Sequence, residues 1–240
     1  MTHPGDTNAA IWRSEQHVRG WTAAEQAREP GRAAARRLLA DLLPFGEQDA
    51  FTFADLGAGT GAATRTILER YPRATAIMAD FSAQMMAAGE PEMRPFAGRY
   101  SVVEFDLSGG RWPAAIPAAL DAIVTSMCVH HLPGERRRSL FAEICARLAP
   151  GGWYLNFDPV RSDDPLVTAA WERVNDREDP QAAHQRRHRT AADQEGWDNH
   201  VRYIAPLAPQ LEDLRTAGFS GIDVYYKRLE NVIYGGCRPA

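Results

Sequence analysis

The sequence predicts an α/β fold with a doubly wound, mostly parallel seven-stranded sheet and a C-terminal antiparallel hairpin, together with N-terminal helices and a helical insertion that caps the site. Three observations support this prediction. A strand-like run at 51–54 leads into a glycine-rich turn and a helix-compatible run, the opening unit of a nucleotide-binding doubly wound sheet. Strand and helix patterns then alternate to about residue 157, as in a parallel sheet with helices on both faces. Two final strand-like runs, 221–227 and 231–237, are close enough in the chain to form a hairpin.

The N-terminal region is expected to cover the sheet. Residues 1–10 are polar and are expected to be disordered. Residues 11–43 favour helix in two pieces, with a break at Pro30-Gly31. The second piece carries apolar residues at helical spacing, which predicts a face that packs on the core: Ala35, Leu38, Leu39, Leu42 and Leu43.

The cofactor-binding core is predicted to span 50–157. Residues 55–61 read Asp-Leu-Gly-Ala-Gly-Thr-Gly and follow the first strand directly. Glycines at alternate positions allow the backbone to adopt positive φ and to approach a ligand closely. The other core elements are strands at 74–79, 100–105, 121–127 and 152–157 and a helix at 135–148.

The C-terminal part departs from this alternation. Residues 158–206 are long, polar and helix-leaning, which predicts an insertion that covers the substrate. Residues 207–240 hold a helix at 208–217, which ends before Gly218, and then the hairpin. We expect all 240 residues to form a single domain.

The glycine turn alone leaves the identity of the nucleotide open. Gly57, Gly59 and Ala62 also match the dinucleotide pattern G-x-G-x-x-G/A, so a nicotinamide cofactor is an alternative. Asp80 ends the second strand about twenty residues later, where either cofactor would offer it ribose hydroxyls. Asp106 ends the third strand, a position from which a carboxylate can accept from an adenine amino group.

Taken together, five segments resemble the class I S-adenosylmethionine-dependent methyltransferases. They are DLGAGTG at 55–61, MADFSAQMM at 78–86, EFDL at 104–107, DAIVTSMCVHHL at 121–132 and RLAPGGWYLNFD at 147–158. They occur in the family's order and at its spacing, over roughly residues 50–160. The resemblance implies a Rossmann-like fold, S-adenosylmethionine as cofactor and S-adenosylhomocysteine as product.

The same resemblance implies a set of cofactor-binding residues. The loop glycines would approach the methionine part of the cofactor, and Asp55 would lie beneath them. Asp80 would hold the ribose, and Asp106 the adenine amino group. The loop glycines are Gly57, Gly59 and Gly61. The other implied contacts are Ala58, Phe81, Met85, Leu107 and Met127.

The acceptor is expected at the carboxyl ends of the strands, where open α/β sheets bind ligands. Asp158, which follows the fifth strand, is one candidate general base; His131 and His200 are the other candidate catalytic residues. His130 and His131 follow the fourth strand, and a structural role or a place in the cofactor wall is the alternative for both. The expected substrate contacts lie on the strand ends and the two covers: Trp12, His17, His130, Asp158 and Tyr203.

Composition argues against several other classes of function. A net charge of −4 gives no general attraction to nucleic acid or to anionic membranes. The three cysteines lack metal spacing, and the His184/His188 pair at i, i+4 is surrounded by arginines, so no metal is expected. The polar N-terminus and the lack of a long apolar run predict a cytoplasmic protein. A single lysine, Lys227, among many arginines indicates a bacterial genome of high GC content.

The leading hypothesis is methyl transfer to a small-molecule acceptor in bacterial specialised metabolism, by a monomer or homodimer. One alternative is a non-methylating use of S-adenosylmethionine, such as aminobutyryl cyclisation or carboxymethyl chemistry. A non-catalytic, cofactor-binding partner subunit is another alternative. An oxidoreductase is the last, and Asp106 and residues 148–152 argue against it.

Overall fold

A seven-stranded sheet forms the centre of the computed structural model, which describes residues 12–240 without the side chains of 16, 17, 21 and 23–30. The strands are β1 Thr52–Leu56, β2 Thr75–Asp80, β3 Tyr100–Glu104, β4 Leu120–Ser126, β5 Leu148–Pro159, β6 Ser220–Arg228 and β7 Asn231–Cys237. Their order is β3-β2-β1-β4-β5-β7-β6. The first five are parallel, whereas β7 is antiparallel to both β5 and β6. The predicted sheet and hairpin are confirmed.

Helices flank the sheet and cover one of its ends. The described helices are α1 Glu15–Asp41, α2 Ala62–Arg70, α3 Ala83–Met93, α4 Gly134–Arg147, α5 Pro165–Glu178, α6 Pro180–Arg187, α7 Ala191–Val201 and α8 Leu207–Thr216. A short 3₁₀ turn, Val129–His131, follows β4. The helix predicted at 208–217 corresponds to α8, and Gly218 behind it has φ +97, as a helix-terminating glycine does.

The N-terminal helix is continuous from Glu15 to Asp41, so the predicted break at Pro30-Gly31 is wrong. Proline removes one backbone hydrogen bond, but a long helix keeps the bonds of its other turns. The turns after Gly31 are held on the sheet by Ala35, Leu39 and Ala40, all of them buried. Tertiary packing therefore outweighs the local helix-breaking signal. The expected disorder of residues 1–10 concerns a segment outside the described residues.

Both faces of the sheet are buried. One hydrophobic cluster joins the strands to α4 and α8 through residues such as Phe141 and Leu214. The opposite cluster joins them to α1 and α2 through Leu39 and Ile67. Burial on two sides explains the nearly continuous apolar runs of the central strands β1 and β4. It also leaves the carboxyl ends of these strands as the natural place for polar groups.

The cover region of 158–206 folds into α5, α6 and α7, which are weakly buried. Neither α5 nor α7 contains a fully buried residue, and α6 contains only Ala183. Three contacts fasten α5 to the β6–β7 hairpin: Asn175 Nδ2 donates to Glu230 Oε1 at 3.0 Å, Lys227 Nζ lies 4.4 Å from the centre of the Trp171 ring, and Arg228 pairs with Glu178. The cover is therefore attached through a few polar contacts rather than through a core of its own.

Candidate cofactor and acceptor site

The glycine loop turns sharply between β1 and α2. Gly57, Gly59 and Gly61 have φ of +71, +54 and +79, a region that side chains other than glycine's rarely adopt. A β-carbon at position 57 would lie 2.0 Å from the sulfur of Cys128, so only glycine fits there. Gly57 N–H donates to Ala79 O at 2.7 Å, which ties the loop to the end of β2. The loop is thus fixed with its backbone open to a ligand.

Asp55 lies buried beneath this loop, as predicted from the resemblance. Its Oδ2 accepts hydrogen bonds from Thr64 N at 3.1 Å and from Thr64 Oγ1 at 2.7 Å. Its Oδ1 is buried and has no hydrogen-bond partner among the described residues. Burial raises the pKa of Asp55 to about 6, although the bonds from Thr64 oppose the shift. One carboxylate oxygen is therefore left to receive a donor from a ligand.

Asp80 joins the loop to the following helix. Its Oδ2 accepts from Gly59 N at 2.8 Å, and its Oδ1 accepts from Ser82 N at 2.8 Å. Ser82 caps α3 by accepting from Met85 N at 3.1 Å. Burial raises the pKa of Asp80, while these backbone donors lower it. A carboxylate oxygen accepts more than one hydrogen bond, so Asp80 keeps capacity for ligand hydroxyls.

A cavity of about 190 Å³ opens above the loop, at the carboxyl ends of β1, β2 and β4. Its lining includes ten of the residues predicted from the sequence: Trp12, Asp55, Gly57, Ala58, Gly59, Asp80, Phe81, Met85, Met127 and His131. Met127 has φ +56, an unusual conformation for a residue with a long side chain. Such strain is characteristic of residues that face ligands, and the strand below sustains it because Met127 N–H donates to Phe157 O at 2.8 Å.

The other predicted residues lie outside the lining of this cavity. Gly61 precedes α2, and a β-carbon there would meet Met78 Cε at 2.7 Å. Asp106 is exposed and accepts from Ser108 N at 2.9 Å, and Leu107 is buried in the core. The side chain of His17 lies outside the described part of the chain. The remaining four are also absent from the lining: His130, Asp158, His200 and Tyr203.

Asp158 and His130 form a buried pair behind the cavity wall. Asp158 Oδ1 lies 2.7 Å from His130 Nδ1, and Asp158 Oδ2 accepts from His130 N at 2.8 Å. Both side chains are at most 3% exposed. One carboxylate thus fixes both the backbone and the ring of His130. Asp158 is buried and is not part of the cavity lining.

His131 links this pair to the cavity and to the cover. Its ring centre lies 4.0 Å from that of His130, 5.0 Å from that of His200 on α7 and 5.9 Å from that of Trp12. Burial lowers the pKa of His131 well below 6.5, and the two neighbouring imidazoles lower it further. His131 is therefore neutral at physiological pH. It can donate or accept one hydrogen bond without carrying charge into the site.

The structure also brings residues into the cavity that the sequence analysis missed. Arg36, on α1, is 4% exposed and lies close enough to Asp55 to lower the pKa of that carboxyl. A signal existed, because Arg36 shares a helical face with the buried residues Leu39, Ala40 and Leu43. Cys128 lines the same cavity, and burial raises the pKa of its thiol well above 9.0, so the thiol stays protonated. The other missed residues of the lining are Thr22, Thr60, Ala62, Ala63, Arg65, Ser82, Ala88, Gly89, Glu92 and Ser126.

These residues fit a cofactor with a ribose and an amino-acid end. The buried Asp55 Oδ1 is open to a donor such as an ammonium group. Gly59, which has no β-carbon, exposes its backbone in the cavity. Opposite charges at Arg36 and Asp55 suit the carboxylate and ammonium of a zwitterion. Within residues 12–240, no group of three His, Cys, Asp or Glu side chains is arranged to hold a metal ion.

Comparisons with known proteins agree with this site. Residues 53–152 match the family model described as a methyltransferase domain. Trans-aconitate 2-methyltransferase from an Azoarcus species is 30% identical over 206 residues, which are 86% of this chain and 75% of that protein. The protein of the same name from Streptomyces avermitilis is 35% identical over 133 residues, which are 54% of this chain and 48% of that protein.

A solved structure shows the same fold at greater distance. Human N-acetylserotonin methyltransferase in complex with SAM superposes with a TM-score of 0.63 at 16% identity. The match covers 96% of this chain and 58% of that one. The present chain thus spans little more than half the length of that enzyme.

The fold is a Rossmann-like sheet, its glycine loop lies over Asp55, and Asp80 ends the next strand. This arrangement is typical of enzymes that bind an adenosyl cofactor. The sequence relatives then specify which one. The chain belongs to the class I S-adenosylmethionine-dependent methyltransferases, and its cofactor is S-adenosylmethionine.

Proposed function

We propose that the protein methylates a carboxylate oxygen of a small organic acid, and that trans-aconitate is the first acceptor to test. The observation that carries this proposal is the similarity to a trans-aconitate 2-methyltransferase over 86% of the chain. The cavity supports a small acceptor, because Trp12 and His131 line the same 190 Å³ space as the glycine loop.

The cofactor would be held by residues of the glycine loop and its neighbours. Asp80 would accept hydrogen bonds from the ribose hydroxyls. Arg36 and Asp55 would pair with the carboxylate and the ammonium of the methionine part. When bound, S-adenosylmethionine supplies a methyl group that its sulfonium already activates, and the carbon–sulfur bond breaks with its electron pair left on sulfur.

A carboxylate acceptor requires little chemical activation by the protein. It is ionised at neutral pH, so an oxygen lone pair can form the new bond to carbon without a general base. The protein's task is then to align that oxygen and to exclude water. Neutral His131 is suited to donate a hydrogen bond to the acceptor, and Trp12 covers it edge-on, with ring centres 5.9 Å apart.

Of the three candidate catalytic residues, we therefore propose that His131 contacts the acceptor. Asp158 holds His130, and His130 supports the His131 ring at a centroid distance of 4.0 Å. His200 closes over His131 from α7. Asp158 is thus proposed as a positioning residue rather than as a general base.

Rates of S-adenosylhomocysteine formation with a panel of acceptors test this proposal. We expect trans-aconitate to be methylated more than about tenfold faster than a phenol or a primary amine of similar size. The rate with trans-aconitate should be nearly constant from pH 6.5 to 8.5, because no proton has to be removed. A faster reaction with the phenol or the amine would contradict the proposed carboxylate acceptor.

The same assay separates the chemical alternatives left open by the sequence. Aminobutyryl cyclisation would release methylthioadenosine, and carboxymethyl chemistry would yield a modified cofactor as its product. A role in bacterial specialised metabolism, a cytoplasmic location, a single domain and a monomeric or homodimeric state are part of the same proposal. Within residues 12–240, no helix combines the length and apolar character needed to cross a bilayer.

A further inference from the structure

A row of polar side chains crosses the buried face of the sheet beside the site. Thr125 on β4 is paired in register with Asn156 on β5, which is paired in turn with Tyr234 on β7. Thr125 Oγ1 donates to Asn156 Oδ1 at 2.7 Å. Since a hydroxyl has a single proton, the 2.9 Å contact between Thr125 and Tyr154 must be donated by Tyr154. All four side chains are fully buried.

The row continues out of the sheet through Tyr234. Its hydroxyl donates to Gln210 Oε1 on α8 at 2.6 Å. Gln210 Nε2 donates to Ala205 O at 3.1 Å and to Pro206 O at 3.2 Å. Because Tyr234 occupies the amide oxygen, the amide nitrogen of Gln210 must point towards these two carbonyls. The phenol of Tyr234 therefore orients the side chain that holds residues 205 and 206.

Residues 205 and 206 belong to the linker 202–206, which joins the end of the cover helix α7 to the first residue of α8. The helix α7 has no buried residue, so packing alone holds it weakly. Its described contact with the site is His200, whose ring centre lies 5.0 Å from that of His131 and 5.6 Å from that of His130. Two backbone carbonyls after α7 accept hydrogen bonds from other elements: Arg161 N donates to Ala205 O at 3.3 Å, and Arg137 Nη1 donates to Tyr203 O at 3.4 Å. Both bonds are longer than the one that Tyr234 donates to Gln210.

Burying so many polar groups in one layer is costly unless each is satisfied, and apolar side chains would fill the same space at lower risk. The polar row thus calls for an explanation beyond packing. Its free end, Gln210, is directed at the linker that follows α7, a helix with no buried residue of its own.

We propose that Tyr234 and Gln210 are positioning residues that fix the linker between α7 and α8 and thereby place His200 over His131 and the bound acceptor. The proposal deepens the acceptor site described above and rests on that assignment. It predicts that the two residues affect the acceptor side of the site and leave the cofactor side unchanged.

Tyr234→Phe tests this inference, and Tyr154→Phe is a matched control. Both substitutions remove one buried hydroxyl from the same row, but only Tyr234 lies next to Gln210. With Tyr234→Phe, we expect the amides of 191–206 to exchange with deuterium about tenfold faster in the ligand-free protein. We also expect the KM for the acceptor to rise about three- to tenfold, with an unchanged Kd for S-adenosylmethionine. Tyr154→Phe should leave 191–206 protected.

Gln210→Leu provides a second variant, which removes both carbonyl contacts and should reproduce the result of Tyr234→Phe. Equal exchange of 191–206 in the wild-type protein and in both variants would overturn the inference, as would an equal increase with Tyr154→Phe. Exchange is measured without acceptor, so the result is independent of the acceptor's identity. If 191–206 loosen but trans-aconitate is not methylated by any form, the positioning role stands and the proposed acceptor is wrong.

Discussion

Asp55 connects the charge of the site to the stability of the protein. Burial raises the pKa of Asp55 from 3.8 to about 6. Between pH 3.8 and about pH 6, Asp55 is therefore protonated in the folded protein but ionised in the unfolded chain. The stability that Asp55 contributes is complete below pH 3.8 and is lost as the pH rises through about 6. A shift of this size corresponds to about 3 kcal/mol at most.

Asp55→Asn should remove this pH dependence. The quantity to follow is the difference in the free energy of unfolding between the ligand-free wild-type protein and the variant. This difference should fall between pH 4 and pH 6.5 and then level off. Chemical denaturation of both proteins across this range measures the difference. Saturating S-adenosylmethionine should reduce the fall, because its ammonium group would favour the ionised carboxylate. A difference that stays constant from pH 4 to pH 6.5 would mean that Asp55 is ionised throughout.

Asp80 is the second acid whose role can be measured directly. Asp80→Ala removes the proposed acceptor for the ribose hydroxyls and also releases Gly59 N and Ser82 N. We expect the affinity for S-adenosylmethionine to fall by about 1–3 kcal/mol, measured by calorimetry. Asp223→Ala on β6 is the control, because Asp223 is exposed and outside the cavity lining. An affinity that Asp80→Ala leaves unchanged would show that the ribose lies elsewhere.

At the scale of single elements, the turn after β4 depends on Asp158. This carboxylate is hydrogen-bonded to both the backbone N–H and the ring nitrogen Nδ1 of His130. It therefore fixes the 3₁₀ turn that carries His131. Asp158→Asn keeps one oxygen that can accept a hydrogen bond from His130. Its amide nitrogen then faces the second nitrogen of His130, from which it cannot accept a hydrogen bond. We expect a loss of stability of about 1–3 kcal/mol, measured by urea unfolding, because a buried partner is left unsatisfied.

The same variant should slow methyl transfer with little effect on the binding of S-adenosylmethionine, because His130 and Asp158 lie outside the cavity lining. His200→Ala is a useful comparison, since it removes the covering ring but leaves the turn intact. A fully stable Asp158→Asn protein whose residual turnover had lost one ionisation from its pH profile would make Asp158 a general base after all.

The elements differ in how far the sequence predicts them. Strands buried on both faces have long apolar runs, and the glycine loop has a distinctive spacing, so these could be predicted from local pattern. The continuity of α1 through Pro30 could not, because it depends on packing of the turns after Gly31 against the sheet. The cover helices have weak patterns since they bury almost nothing.

At the scale of the whole molecule, the site combines parts that are far apart in the chain. Asp55 and Asp80 lie at the carboxyl ends of β1 and β2, strands with clear apolar patterns. Their positions at this edge of the sheet could therefore be predicted. Arg36 reaches the same cavity from a helix that precedes the first strand, and Asp158 turns to His130 rather than to the cavity. Contacts of this kind depend on tertiary geometry, which a single sequence does not contain.

The most direct test of the account uses S-adenosylmethionine with a deuterated methyl group, trans-aconitate and the purified protein, analysed by mass spectrometry. The account predicts a monomethyl ester of trans-aconitate that carries all three deuterium atoms, together with an equal amount of S-adenosylhomocysteine. Gly59→Val should yield neither, because a branched side chain would fill the cofactor loop. Release of methylthioadenosine, or S-adenosylhomocysteine formed only with a phenol or an amine, would contradict the proposed carboxylate methylation.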